Sequence, residues 1–135
     1  CQVLMARRFP SYFDTMERGE RMSRAEFIDF ENQRHQTSHN VVGYLLARTW
    51  YLPADSQVAI LNHHDYSLFQ LAHEADWQHI CTLIAISSLA EHILKMNVKQ
   101  FEHTEWRAIE PMLLNHLALK LEEYEDMVDQ IGMSL

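Results

Sequence analysis

The sequence predicts an all-α fold, and three observations carry that prediction. Only three Gly and three Pro are spread over 135 residues, which disfavours a turn-rich β architecture. Apolar residues recur at spacings of three and four along several segments, as the buried face of a helix requires. Hydrophobic residues make up 47% of the chain, which is enough for a core. We therefore expect five or more helices and no strand of consequence.

Helix start signals divide the first half of the chain. Pro10 is placed to open a helix that ends at Gly19. Ser23 and Glu26 form a capping box, in which the serine side chain accepts a hydrogen bond from the Glu26 backbone N–H. The helix that follows is expected to fade near Gln36. Two further helices are expected in this half, with caps at Thr37 or Ser38 and at Asp55 or Ser56, on either side of Leu52-Pro53.

The second half is predicted to contain a long central helix and a C-terminal amphipathic helix. Residues 66–75 read as a loop or short turn, and residues 76–96 carry the broad apolar band of a helix packed on more than one side. Pro111 is expected to open the last helix, whose short heptad-like seam favours packing on the domain over the alternative, a free coiled coil. That seam comprises Leu114, Leu117, Leu121, Tyr124, Val128 and Ile131. We expect residues 1–98 to form one helical domain and residues 99–135 a helical extension packed on it.

Charge and cysteine content exclude several classes of protein. The net charge is −8 with no basic stripe, so no nucleic-acid partner is expected. Cys1 and Cys81 form no CxxC pattern, which favours a reduced, cytoplasmic setting. No signal peptide or bilayer-spanning apolar run is visible, so no membrane partner is expected. The first six residues read like the middle of a helix, and we expect the chain to be part of a longer protein.

Three histidines are candidate metal ligands. His39 opens one predicted helix, and His63 and His64 close the next, so the fold can bring their imidazoles together. Neutral imidazole binds borderline transition metals well. Adjacent residues of a helix point about 100° apart, so both members of the pair face one site only if the helix frays there. Asp65 can orient an imidazole or cap the helix end. The alternative is that these histidines bond to backbone groups and pack against neighbouring aromatic rings.

The same segment carries a family resemblance. Its elements are, in order, His39, Gly43, Leu46, Trp50, Leu52-Pro53, Ile60 and His63-His64-Asp65. This pattern resembles the second half of an HDOD domain, a bacterial signalling domain related to the HD and HD-GYP metal-dependent phosphohydrolases. The resemblance extends over residues 1–98. It implies a compact HD-like helical domain, of which this chain is the C-terminal portion.

The departures from the enzymatic pattern bear on function. In HD hydrolases, an early histidine, a His-Asp dyad, later histidines and a final aspartate hold the metals. The resemblance places only His39, His63 and His64 at ligand positions, and Ser87 stands where the final aspartate is expected. A neutral serine cannot replace a bridging carboxylate. The resemblance therefore implies a module without catalytic residues.

The implied function is bacterial signal transduction through interaction. The expected partners are receiver domains, cyclic dinucleotide turnover domains or a small ligand, and no oligomeric state is predicted. No cofactor is expected, although the three histidines offer a divalent metal a site. The alternative function is a metal-dependent phosphohydrolase whose remaining ligands precede residue 1.

Overall fold

The computed structural model describes residues 1–99 and 104–132, and every regular element in those two ranges is helical. The helices are α1 (Gln2–Arg8), α2 (Tyr12–Gly19), α3 (Arg24–His35), α4 (His39–Thr49), α5 (Ala54–Asn62), α6 (Ala75–Lys99), α7 (Thr104–His116) and α8 (Leu121–Gly132), with a short 3₁₀ helix at Tyr66–Leu71. The predicted all-α class is confirmed. Within the described residues, no helix is both long enough and apolar enough to traverse a lipid bilayer.

The chain divides into two compact units, Cys1–Asp65 and Tyr66–Leu135. The first contains α1 to α5, and the second contains the 3₁₀ helix and α6 to α8. Residue 98, where we predict a domain boundary, lies near the C-terminal end of α6, within the second unit. The long helix therefore shares its core with the C-terminal helices. The division into a domain and an extension stays a prediction.

A side-chain cap sets the start of α3, and hydrogen bonds between side chains surround the start of α4. Ser23 Oγ accepts from the Glu26 backbone N–H at 3.3 Å, and the Ser23 N–H donates to Glu26 Oε2 at 2.8 Å, which completes the predicted capping box. That backbone hydrogen bond lowers the pKa of Glu26. Ser38 precedes α4, and its Oγ donates to Asn40 Oδ1 at 2.6 Å. Asn40 Nδ2 in turn donates to the Leu61 carbonyl at 2.8 Å, which ties the start of α4 to the end of α5.

Gly43 lets α4 lie against its neighbours. A Cβ at this position would lie 2.8 Å from Ile60 Cγ2 of α5 and 2.8 Å from Cys1 Sγ. Glycine inside a helix costs roughly 0.5–1 kcal/mol relative to alanine. The close approach of these two side chains accounts for a glycine in the middle of α4. It also allows a close approach of α4, which begins at His39, to α5, which is followed by His63 and His64.

The second unit has an apolar core built from α6, α7 and α8. Its buried members are Ala85, Leu89, Ile93, Trp106, Ile109, Leu113, Leu114 and Tyr124. The Trp106 ring stacks on His92, with centroids 3.9 Å apart and planes 7° from parallel. Tyr124 of α8 packs on the same indole at 6.1 Å. Trp106 of α7 is thus covered by α6 on one side and touched by α8.

The predicted continuous last helix is wrong. Pro111 lies inside α7 instead of opening the final helix, and α7 ends at His116. The final helix, α8, begins only at Leu121. The predicted apolar seam is therefore divided between two helices. Leu114 is buried in the core, whereas Leu121 is 52% exposed.

A Schellman motif causes this break. Ala118 has a left-handed backbone with φ of 53°. Its N–H donates to the Asn115 carbonyl, and the Leu119 N–H donates to the Leu114 carbonyl. Glycine is the usual residue at the left-handed position, because a Cβ is disfavoured there. An alanine in its place leaves no helix-stop signal in the sequence.

Candidate functional site

The interior of the first unit is unusually polar. Its buried polar side chains are Thr15, Glu31, His35, Ser38 and His39. Tyr12 is fully buried beside them, and its hydroxyl donates to Glu31 Oε1. Burial and then this hydrogen bond raise the pKa of Tyr12, so the phenol keeps its proton. A buried polar group without a partner costs about 1–3 kcal/mol, so such contacts select one arrangement of the core.

Glu31 orients the ring of His39. The side chains of Glu31 and His39 are 0% and 6% exposed. His39 Nδ1 lies 2.7 Å from Glu31 Oε2, and the His39 backbone N–H donates to the same oxygen at 3.2 Å. Because Glu31 is the acceptor, the hydrogen-bond pattern assigns a proton to Nδ1 and leaves a lone pair on Nε2. A carboxylate behind an imidazole is the arrangement that fixes metal-binding histidines in proteins.

The end of α5 turns two imidazoles toward His39. The helix ends at Asn62, so His63 and His64 lie beyond its last turn, as their common site requires. The His39 ring centroid is 5.2 Å from that of His63 and 5.1 Å from that of His64. His63 Nδ1 lies 2.7 Å from the Ile60 carbonyl oxygen, to which it donates. This bond assigns the acceptor role to the Nε2 atom of a neutral His63.

Arg24 holds His64 from the start of α3. Arg24 Nη1 lies 3.1 Å from His64 Nδ1, and a guanidinium group has donors only, so Nδ1 accepts. A neutral His64 then carries its proton on Nε2, which lies 3.0 Å from His39 Nε2 and donates to it. A hydrogen-bonded chain therefore links Tyr12, Glu31, His39, His64 and Arg24.

The structure brings together the three histidines that the sequence singles out. One ligand nitrogen from each of His39, His63 and His64 lies within 4.8 Å of the others. Three imidazoles suit one borderline divalent ion such as Zn²⁺. The group contains no carboxylate, so a binuclear centre would have no bridging ligand from it. Metal binding at these histidines stays a prediction.

The other two polar residues that the sequence points to have local roles. Ser87, at the expected aspartate position, is exposed on α6, and its Oγ donates to the Ile84 carbonyl at 2.9 Å. The Asp65 backbone N–H donates to the Asn62 carbonyl at 2.8 Å, which closes the turn after α5. The Ser87 hydroxyl is thus used within its own helix.

Sequence reasoning missed three members of the chain of hydrogen bonds. Tyr12, Arg24 and Glu31 belong to no local motif, and each meets its partner across helices. Glu31 offers one weak signal: it is a carboxylate near the end of a helix, eight residues before a histidine that opens the next helix. Arg24 and Tyr12 carry no comparable signal, because an exposed arginine or a packed tyrosine at a helix start gives the same pattern.

The first unit is thus an all-helical domain with a partly buried histidine cluster, and it was compared with known families. Residues 1–66 match the family model described as HDOD domain. This segment of the chain belongs to the HDOD domain family. The match lies at the N-terminal end of the chain and ends at the boundary of the first unit, whereas the resemblance was expected to reach about residue 98. No curated protein and no solved structure shows a significant match.

Proposed function

We propose that this chain is a non-catalytic signal-transduction module that acts by binding a protein partner or a small ligand. One observation carries the proposal: the histidine cluster has no carboxylate among its candidate ligands and is held by hydrogen bonds to protein groups. Metal-dependent hydrolysis of phosphoesters at a two-metal site needs ligands that hold both ions. Three neutral imidazoles do not provide them.

The surface of the first unit supports an interaction role. Four large side chains at the α4–α5 corner are exposed to water: Leu45, Trp50, Tyr51 and Leu52. Tyr51 is 93% exposed on a left-handed backbone, and Trp50 is 67% exposed. Tyrosine and tryptophan are enriched among the residues that dominate protein interfaces. In the proposal, the partner is a receiver or cyclic dinucleotide turnover domain and the setting is the bacterial cytoplasm, in keeping with two free cysteines.

An activity assay tests the non-catalytic part of the proposal. Full-length protein is supplied with Mn²⁺, Fe²⁺ or Zn²⁺ and with phosphomonoesters, nucleotides and cyclic dinucleotides. The matched controls are His39→Ala and His63→Ala. We expect the wild type to release no more phosphate than either of these two variants. Hydrolysis by the wild-type protein that both substitutions remove would overturn the proposal.

A binding titration tests the interaction part. Receiver domains and cyclic dinucleotides are titrated calorimetrically into the full-length protein. We expect saturable binding of one of them, weakened at least tenfold by Tyr51→Ala if the partner is a protein. The same loss with the exposed Arg21→Ala would show that the α4–α5 corner has no special role. Absence of binding by all of these molecules would remove the proposed partners.

The alternative is a metal-dependent phosphohydrolase of the HD superfamily whose remaining ligands precede residue 1. The buried contact between Glu31 and His39 favours it, because hydrolytic metal sites use the same carboxylate–imidazole arrangement. This alternative predicts hydrolysis by the full-length protein and none by the 135-residue chain alone. If further residues precede Cys1, their sequence discriminates directly, since this alternative requires a histidine and a His-Asp dyad there.

A further inference from the structure

Resting on the function proposed above, we propose that Arg24 determines what the histidine cluster binds. While its guanidinium holds His64, the cluster excludes a divalent cation, and a cation is bound only when Arg24 is displaced. Arg24 lies at the first position of α3, directly after the Ser23 cap. It reaches His64 forty positions further along the chain. Arg24 therefore contacts the histidine cluster from α3, whereas the histidines lie at the start of α4 and after the end of α5.

Arg24 fixes the His64 proton on the nitrogen that a metal needs. The guanidinium donates to His64 Nδ1 at 3.1 Å, so a neutral imidazole carries its hydrogen on Nε2. That hydrogen points at His39 Nε2, whose lone pair is presented because Glu31 accepts from His39 Nδ1. The Nε2 atoms of His39 and His64, which could share a metal ion, are therefore hydrogen-bonded to each other.

The separation of these nitrogens is that of a hydrogen bond. His39 Nε2 and His64 Nε2 are 3.0 Å apart. Two imidazole ligands of a tetrahedral zinc, with bonds of 2.0–2.1 Å, lie roughly 3.3 Å apart, and no proton remains between them. A metal ion thus requires His64 to change its tautomer or turn its ring. Either change breaks the bond that Arg24 now makes.

Charge acts in the same direction. Arginine stays protonated at all ordinary pH values, so the cluster has a permanent positive charge 3.1 Å from one of its rings. Glu31 places its carboxylate behind His39, on the side of that ring away from His64 and Arg24. A divalent ion among the imidazoles would meet repulsion from Arg24, and this repulsion is stronger than in bulk water because His39 is buried and His64 is partly buried. Arg24 thus adds a positive charge on the Nδ1 side of His64, while an ion would lie on its Nε2 side.

Metal titration of the full-length protein tests this inference. Co²⁺ binding is followed by its visible absorption, and Zn²⁺ binding by competition with a chromophoric chelator. The variants are Arg24→Met, which removes the charge and the donor, and Arg21→Met, a matched change at an exposed arginine three residues earlier. We expect Arg24→Met to bind both ions at least about tenfold more tightly than the wild type, and Arg21→Met to match the wild type. In the double variant Arg24→Met, His63→Ala the gain should vanish.

Three results would contradict the role of Arg24: no gain in Arg24→Met, an equal gain in Arg21→Met, or a gain that persists without His63. If Arg24→Met fails to fold, nitrogen-15 NMR of the wild-type protein still decides, because we expect His64 as the Nε2–H tautomer and an Nδ1–H tautomer overturns the inference. The readout is separate from that of the proposed function. Hydrolysis by the wild type defeats the proposed function, whereas equal metal affinities defeat only the role of Arg24.

Discussion

Glu31 of α3 connects three helices of the first unit through its hydrogen bonds. It accepts from the Tyr12 hydroxyl of α2, and from both the ring and the backbone N–H of His39 at the start of α4. A fully buried carboxylate with three donors around it holds three helices in one arrangement. Its removal leaves donors buried without an acceptor, which is costlier than the loss of the hydrogen bonds themselves.

Glu31→Gln should therefore destabilise the protein. The amide offers one oxygen where the carboxylate offers two, and its NH₂ group must face a donor. We expect a loss of about 2–3 kcal/mol in the free energy of unfolding, measured by urea denaturation. The control is Glu17→Gln on exposed α2 surface, which should change stability by less than about 0.5 kcal/mol. Equal unfolding midpoints for the two variants would show that Glu31 does not organise this core.

Tyr124 presents the opposite situation in the second unit. Its hydroxyl is buried without a hydrogen-bond partner among the described residues. Tyr124→Phe should leave the protein as stable or make it more stable by about 1 kcal/mol, because a desolvated hydroxyl is removed. The control is Tyr66→Phe, which breaks a 3.2 Å bond to Ser88 Oγ and should cost about 1 kcal/mol. Equal losses in both variants would contradict this account.

The same hydroxyl predicts a loss of stability at alkaline pH. Burial, and then the nearby Glu110 carboxylate, raise the pKa of Tyr124 to about 12 from the ordinary 10.0. Between these values the unfolded chain releases the proton while the folded protein keeps it. Stability is therefore complete below pH 10 and falls as the pH rises toward 12. Unfolding midpoints across this range should fall less steeply for Tyr124→Phe than for the wild type, and identical slopes would contradict the prediction.

The candidate site was predictable only where its geometry is local. His39 stands at the helix start that Ser38 marks, and His63 and His64 follow the helix that starts after the proline break. Their meeting therefore follows from two neighbouring helices. Glu31 and Arg24 reach them from α3, and only tertiary packing decides which residues of α3 point inward. The sequence therefore predicts which imidazoles meet, but not that Glu31 and Arg24 determine which ring nitrogens carry the protons.

At the scale of elements, the capping box and the Leu52-Pro53 break were informative, whereas the turn after α7 has no mark in the sequence. The capping box of α3 and the proline break between α4 and α5 are where the sequence places them. Gln36, Tyr51 and Ala118 all adopt left-handed backbones without glycine, and the sequence marks the first two stops but not the third. At Ala118 the consequence was largest, since one predicted helix is in fact α7 and α8.

The left-handed backbone at Ala118 predicts that an alanine-to-glycine change raises stability there and lowers it inside α7. Ala118→Gly removes a Cβ from a left-handed residue, which outweighs the entropy that glycine adds to the unfolded chain. We expect a gain of about 0.5–1 kcal/mol. Ala108→Gly, an identical change at an exposed position inside α7, should instead cost about 1 kcal/mol. Thermal unfolding of both variants decides, and a loss at both positions would mean that the chain does not turn at Ala118.

At the scale of the whole molecule, the question is which apolar side chains are buried by packing within the chain and which stay exposed. Leu117 lies partly buried against the core of the second unit, whereas Leu121 is 52% exposed on α8. Leu117→Asp should lower the free energy of unfolding by about 2 kcal/mol or more, since it places a charge against apolar side chains. Leu121→Asp is the matched control and should change stability little.

Sedimentation distinguishes this use of Leu117 from an interface between copies. We expect the same mass for the wild type and for both leucine variants. If Leu117→Asp converts a stable oligomer into an equally stable monomer, the face around Leu117 is an interface between copies, and its packing within the unit does not stabilise the fold.

Metal content tests the central claim most directly, because that claim concerns what the histidine cluster can hold. Full-length protein is dialysed against a chelator, and its transition metals are counted by elemental mass spectrometry. The account predicts fewer than one tightly bound ion per chain. The three neutral imidazoles include no bridging carboxylate, and Arg24 is hydrogen-bonded to one of them, His64. Two ions per chain, retained through dialysis and lost in His39→Ala, would contradict it.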